Sequence, residues 1–389
     1  MHTALKDAFT TWCRESLFTP DMIQAAAILN KAADAHLTWL YQDLDLAAML
    51  DNFMDAGELA RSLRFESSAD IALEAMLLRL ADRCTFIEKM ETEKSIAFRN
   101  RESPHDTGEQ LHYLHKEMET LGEPYLAGLE FLDFGAGQFV RSLRDEPDFM
   151  DRVLTGKVKE YADTWHRATN TDPLQDVHGI MGARAVDDVF AGGVILEVGG
   201  GTGNGIRNIL DYLNEQDHLD RLERFIFTDI SMPFILSTRH EIRQRYPHVV
   251  TDWRHLDINK PFGIQKISPG SVDLVYGVNA AHIARHTVKF IEECKRVLKP
   301  GGAIVFSERV RMKDREMAPR EIALNLSRYH RTAAIRDPEF RPMHAYLSVS
   351  NWLRAFELTG IDEVDIWPDI ANLAESFPDQ YAAIIVAKV

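Results

Sequence analysis

Residues Ile195 to Gly205 read ILEVGGGTGNG: an apolar run around one carboxylate, Glu197, then a stretch in which five of seven residues are glycine. Bare backbone after a strand lets a ligand come close to the main chain, so the segment is a candidate binding loop. Its spacing excludes two ligand classes. A dinucleotide loop needs G-x-G-x-x-G, but counting from Gly199 the third glycine position is Asn204, and counting from Gly201 it is Ile206. A G-x-x-x-x-G-K-[ST] phosphate loop needs a lysine, and none follows. What fits is acid-x-G-x-G-x-G at Glu197, Gly199, Gly201 and Gly203, with a carboxylate placed to face a cation rather than a pyrophosphate.

More candidates follow in order. RFIFTDI ends in Asp229, where an acid can accept both hydroxyls of a ribose. HLDI supplies Asp257, suited to an adenine amine; Ile230 and Ile258, next to the two acids, join the same site. VDLVYGVNAAH carries Asn279 and His282, and RVLKPGGAIVFSE ends in Glu308. These residues need a scaffold that gathers them. From about residue 190, seven short apolar runs (GVILEVGG, RFIFTDI, VVTDWRHLD, VDLVYGVN, GAIVFSERV, DEVDIWP and YAAIIVAKV) alternate with helical stretches. That texture reads as an α/β domain with a mainly parallel sheet, whose ligands bind beyond the carboxyl ends of the strands.

Residues 1–185 read instead as a mostly helical substrate or dimerisation domain. Apolar residues recur at three and four in DMIQAAAILNKAADAHLTWLYQDLDLAAMLDNFM and in SADIALEAMLLRLADRCTFIEK. KSIAFRN reads as a short strand, giving a winged-helix-like unit. Residues 186–389 form the second domain, with a lid insertion near 312–347. FLDFGAGQF repeats part of the glycine pattern at Asp133, Gly135 and Gly137, but Phe139 replaces the third glycine, and the segment is expected to be a turn. The apolar surplus around Leu37 to Phe53 suggests a homodimer. With 44 Lys and Arg against 60 Asp and Glu, the net charge of −16 argues against nucleic acid as a partner. Cys13, Cys84 and Cys294 have neither disulfide nor zinc spacing, so free thiols in a cytoplasmic protein are expected and no metal is. No leader and no membrane-spanning run is read.

The acid-glycine pattern with Asp229, Asp257, Asn279 and Glu308 in succession resembles class I S-adenosylmethionine-dependent methyltransferases. FIFTDISMPFI, VNAAHIARH, RVLKPGGAIVFSE and MHAYLSVSNWLRAFELTGIDEVDIWPD together resemble, within that class, the carbon methyltransferase domains of polyketide synthases and their freestanding relatives. GAGQFVRSLRDEPDFMDRVLTG looks like the linker of that family. The resemblance covers roughly residues 120–389. It implies a Rossmann-like seven-stranded sheet and S-adenosyl-L-methionine as cofactor. It also implies a His-Glu pair as base, which falls on His282 and Glu308. The same roles follow from chemistry: an acceptor must lose a proton to become nucleophilic, a histidine can take it, and a carboxylate on the other ring nitrogen fixes the tautomer.

The resemblance further implies substrate-covering helices after the fifth strand. Where the polyketide enzymes often carry a tryptophan pair, this chain has SRYHRT. Tyr329, His330, Arg331, His344 and Tyr346 there, with Tyr276 on the fourth strand, are the candidate substrate residues, and their polar, cationic character suggests a polar or anionic acceptor. The expected activity is methylation of a small-molecule acceptor, possibly carrier-bound, at an activated carbon. Oxygen or nitrogen methylation, or a methyltransferase fold without methyl transfer, are the alternatives. His286 is the rival base and is expected to open the next helix.

Overall fold

The computed structural model describes residues 2–92, 95–144, 159–332, 337, 340–341, 343–379 and 381–389. The chain divides into two compact units, each discontinuous in sequence. The α/β unit comprises Met1–Pro20, Pro173–Val310 and Tyr346–Val389; the helical unit comprises Asp21–Asp172 and Arg311–Ala345. The helix Pro173–Val189, read from the sequence with the N-terminal domain, therefore belongs with the sheet. Leu174, Val177, Met181 and Val186 on it are buried, and Gly182 lets it approach so closely that a Cβ there would lie 2.1 Å from the Tyr276 hydroxyl.

In the helical unit, Met54–Asp55 (β1), Ile87–Glu91 (β2) and Ile96–Asn100 (β3) form a small antiparallel sheet in the order β1-β3-β2. The expected strand is β3, and β2 is an addition that its charged sequence IEKME concealed. FLDFGAGQF is not a turn. It lies inside the helix Glu123–Leu143, where a Cβ on Gly135 would come within 2.6 Å of the Ala323 backbone. Close helix packing, not backbone reversal, requires that glycine. Leu37, Leu40, Tyr41, Leu46 and Leu50 are fully buried within the unit, so the surplus that suggested a homodimer is absorbed internally; Trp39 stays 43% exposed.

The α/β unit holds all seven expected strands: Gly193–Glu197 (β4), Leu222–Asp229 (β5), Thr251–His255 (β6), Val272–Val278 (β7), Leu298–Arg309 (β8), Val364–Trp367 (β9) and Ala382–Lys388 (β10). Their order is β6-β5-β4-β7-β8-β10-β9, parallel except for β10, which is antiparallel to both neighbours. A parallel sheet covered on both faces needs continuous apolar strands. Ile195, Leu196, Leu274, Val275, Ile304 and Val305 meet that need at full burial, each contributing about 1.5–3 kcal/mol. From β4 the chain runs outward to β5 and β6, then returns to β7 on the other side of β4. The loops after β4 and β7 thus flank the switch point, where open α/β sheets bind ligands. Among the described residues no helix is long and apolar enough to cross a membrane, and no group of three or more His, Cys, Asp or Glu side chains could hold a metal ion. The three cysteines are free, Cys13 and Cys294 buried and Cys84 half-buried.

Candidate active site

The loop after β4 takes three left-handed turns, at Gly199 (φ +62°), Gly201 (φ +52°) and Gly203 (φ +86°), before the helix Asn204–Glu215 begins. The three glycines are needed for different reasons. A Cβ at Gly199 would lie 2.7 Å from the Ala280 Cβ, and one at Gly203 would lie 2.5 Å from Thr238 Cγ2. A Cβ at Gly201 would meet, among the described residues, nothing nearer than the Gly199 carbonyl at 4.0 Å. Gly199 and Gly203 therefore serve packing, whereas Gly201 faces open space beside a helix N-terminus, where a ligand can lie against the backbone.

Asp229 closes this loop from the end of β5. One carboxylate oxygen accepts the Gly201 N–H at 2.8 Å and the other accepts the Ser231 N–H at 2.6 Å. Burial pushes its carboxyl above the usual range, against the pull of those N–H groups and of His255. A carboxylate has about four lone-pair sites, so capacity remains for ribose hydroxyls. The following Ile230 is 52% exposed.

Glu197 is fully buried, and among the described residues neither of its oxygens makes a hydrogen bond of good geometry. Burial pushes its carboxyl up to about 8; Arg207 opposes the shift, Asp229 adds to it, and the Ile206 N–H opposes it. An orphaned, buried carboxylate beneath the glycine loop suits a cationic ligand, and with the open face at Gly201 it makes the residues present fit S-adenosylmethionine.

Asp257 is committed to its own turn. It accepts the Asn259 N–H at 3.0 Å and pairs with Lys260 at 3.2 Å. Burial is outweighed by these partners, so its carboxyl lies below the usual range. Ile258 is half-buried in the same turn. Asn279, at φ +47°, ties the β7 loop to β8: its N–H donates to the Ser307 carbonyl at 2.8 Å and its amide oxygen accepts the Arg309 N–H at 2.7 Å.

That tether brings His282 to Glu308. The histidine sits in a short 3₁₀ turn, Ala281–Ile283, and its Nδ1 lies 2.7 Å from a Glu308 carboxylate oxygen. The other Glu308 oxygen accepts the N–H groups of Ala280 at 3.0 Å and Ala281 at 2.8 Å. The two side chains are 3% and 0% exposed, so the pair is buried. A carboxylate only accepts, so Nδ1 carries a proton and Nε2 is the nitrogen left to face a reacting group. His286 takes the N-cap position of the helix Thr287–Val297, as expected.

The candidate substrate residues divide. Tyr346 lies against His282, ring centroids 4.6 Å apart. Tyr276 is fully buried in the sheet beside Glu197 and beneath the glycines at 182 and 205, enclosed by the protein's own core. His330 and His344 are buried in the helical unit with rings 5.9 Å apart. His344 bonds to Asn325, and burial together with Arg311, Arg341 and Arg331 holds its pKa well below the ordinary value. The Tyr329 side chain lies outside the described residues. The cationic lid is neutralised within its own unit: Arg331 pairs with Glu66 at 2.6 Å, Arg311 with Glu321 and Arg320 with Asp172. A buried guanidinium needs a carboxylate, and Glu66 and Asp172 are distant in sequence from the arginines they pair with, so these charges are already matched within the unit rather than waiting for an anionic acceptor. The Tyr346–His282 contact and the Asp229–Gly201 bond were not foreseeable from spacing.

Residues 196–304 match the family described as "Methyltransferase domain". A highly reducing polyketide synthase of Pyrenophora dematioidea is 34% identical over 114 residues, 29% of this chain and 4% of that protein. A squalestatin tetraketide synthase of Phoma sp. is 29% identical over 172 residues, 44% of this chain and 6% of that protein. The chain thus spans under a tenth of the length of these relatives. Among solved structures, the CurJ carbon methyltransferase superimposes with a TM-score of 0.75 at 19% identity, covering 98% of this chain and 95% of that one. The DszA carbon methyltransferase gives 0.69 at 19% identity, covering 94% and 90%. The trans-methyltransferase CalH, in complex with SAH, gives 0.54 at 17%, covering 95% and 90%.

Proposed function

With residues 196–304 an S-adenosylmethionine-dependent methyltransferase domain, in a chain with the fold of the CurJ and DszA carbon methyltransferases, we propose that this protein methylates an activated carbon of a small-molecule, carrier-bound acceptor. The observation that carries the reading is the buried His282–Glu308 hydrogen bond at the carboxyl ends of β7 and β8.

S-adenosylmethionine, when bound, supplies an electrophilic methyl group on a sulfonium. The chain's own residues do the rest. The loop from Gly199 to Gly203 and Asp229 hold the donor, and the buried Glu197 becomes ionised beside a bound cation and so offsets the positive charge. His282 takes the acceptor's proton at Nε2, and Glu308 keeps the Nδ1 proton in place and stabilises the imidazolium that forms. A carbon flanked by two carbonyls is acidic enough for such a base, which gives the pair a task in carbon methylation.

The test is turnover of a thioester whose α-carbon lies between two carbonyls, compared with a phenol of similar size. Methylation of the thioester carbon, lost in His282→Gln with donor binding intact, is expected. Methylation of the phenol alone would move the assignment to oxygen.

A further inference from the structure

The segment 311–345 leaves and re-enters the α/β unit at the base pair itself. Glu308 sits just before the departure at Val310, and Tyr346 is the first residue after the return. Tyr346 is 5% exposed, with its ring tilted by 49° over the imidazole of His282. The bond from Nδ1 to Glu308 fixes one atom of that imidazole. The Tyr346 ring, tilted against it with centroids 4.6 Å apart, restrains the imidazole plane and with it the direction of Nε2.

The tyrosine is itself held on both sides. Ala345 is fully buried at φ +65°, a conformation uncommon for a residue with a Cβ. Its carbonyl accepts from Arg341 at 2.9 Å, and the His344 carbonyl accepts from Arg311 at 2.8 Å. Beyond Tyr346, Ser348 caps the helix Val349–Glu357 in a reciprocal pair with Asn351. We propose that Tyr346 is a positioning residue that orients His282. This inference rests on His282 acting as the base.

Nitrogen-15 histidine spectra of the full-length chain read the tautomer and order of the His282 ring without any acceptor, with His282→Gln giving the assignment. The wild type should show one ordered tautomer protonated at Nδ1. Tyr346→Leu should broaden or average that signature and lower kcat about 10–100-fold, the cost of a small misplacement, with the KM for the donor unchanged. Tyr346→Phe, which keeps the ring, should restore the spectrum and most of the lost turnover. An unchanged spectrum or unchanged turnover in Tyr346→Leu overturns the proposal. So does a Tyr346→Phe variant as slow as Tyr346→Leu, because the hydroxyl would then be the active group. If His282→Gln keeps full turnover, the base assignment fails, and the spectra still decide whether Tyr346 orders the ring.

Discussion

Replacing Glu308 by glutamine tests the base pair more sharply than removing the histidine. The glutamine is nearly isosteric, and its carbonyl oxygen can go on accepting the Ala280 and Ala281 N–H groups, now bound at 3.0 and 2.8 Å. Its amide NH₂ must then face His282 Nδ1, which is 2.7 Å from the other oxygen in the native pair. Two donors cannot share that distance, so Nδ1 must become the acceptor and the ring proton must move to Nε2. The imidazole stays in place with its lone pair on the wrong nitrogen. Turnover should fall by about 10²–10⁴-fold, the usual worth of a general base. A His282→Gln, Glu308→Gln double variant should be little slower than either single one, because the pair acts as a unit. Single-turnover assays at saturating donor, with histidine nitrogen spectra to read the tautomer, check both steps. A folded Glu308→Gln enzyme within about threefold of wild type would refute the tautomer argument, since general-base contributions lie far above that.

Three further outcomes follow from the geometry. Gly201→Val should abolish donor binding in calorimetry while the fold survives: the side chain would enter open space, and the left-handed backbone adds a strain of about 1–3 kcal/mol. Glu197 has a folded pKa of about 8, above its unfolded value, so its contribution to stability is complete below the unfolded pKa and is lost as pH rises towards 8. Thermal melts of the donor-free protein should fall across pH 5 to 8 at up to about 1.4 kcal/mol per pH unit, and Glu197→Gln should flatten that fall. Arg331→Ala removes one of the two guanidinium groups on half-buried Glu66, leaving Arg328 at 3.6 Å and the Ser68 bonds, so denaturant titration should show a loss of about 1.5–3 kcal/mol.

The central strands of the α/β unit were legible because strands covered on both faces must be largely apolar, whereas the edge strands β6 and β9 are only partly buried and their apolar signal is weaker. The candidate site acids Glu197, Asp229 and Glu308 were legible because they lie at the ends of strands. The His282–Glu308 contact could be read for the same reason, one partner just after β7 and the other at the end of β8. Other features depended on contacts between distant residues. A glycine inside a helix, as at Gly135, looks like a turn until its neighbour Ala323 is known. A buried arginine such as Arg331 looks like a ligand-binding charge until Glu66, over 260 residues away, is placed beside it. The helix Pro173–Val189 carries small apolar residues that resemble the helices before it, and only Gly182 meeting Tyr276 shows that it packs on the sheet.

The interleaving of the two units bears on how the chain matures. On the ribosome, residues 21–172 emerge long before their partner segment 311–345, and β10 is completed only with the last residues. Neither unit can finish folding vectorially. Apolar helices of the first unit must wait with their buried arginines or carboxylates unmatched, since Arg320 and Arg331 arrive after Asp172 and Glu66. Contacts this distant in sequence slow folding and prolong exposure of sticky surface. Dissecting the chain near 185, as the sequence alone would invite, should therefore give a C-terminal fragment whose segment 311–345 has lost its own core, and low soluble yield of that fragment is expected even with His282 and Glu308 present.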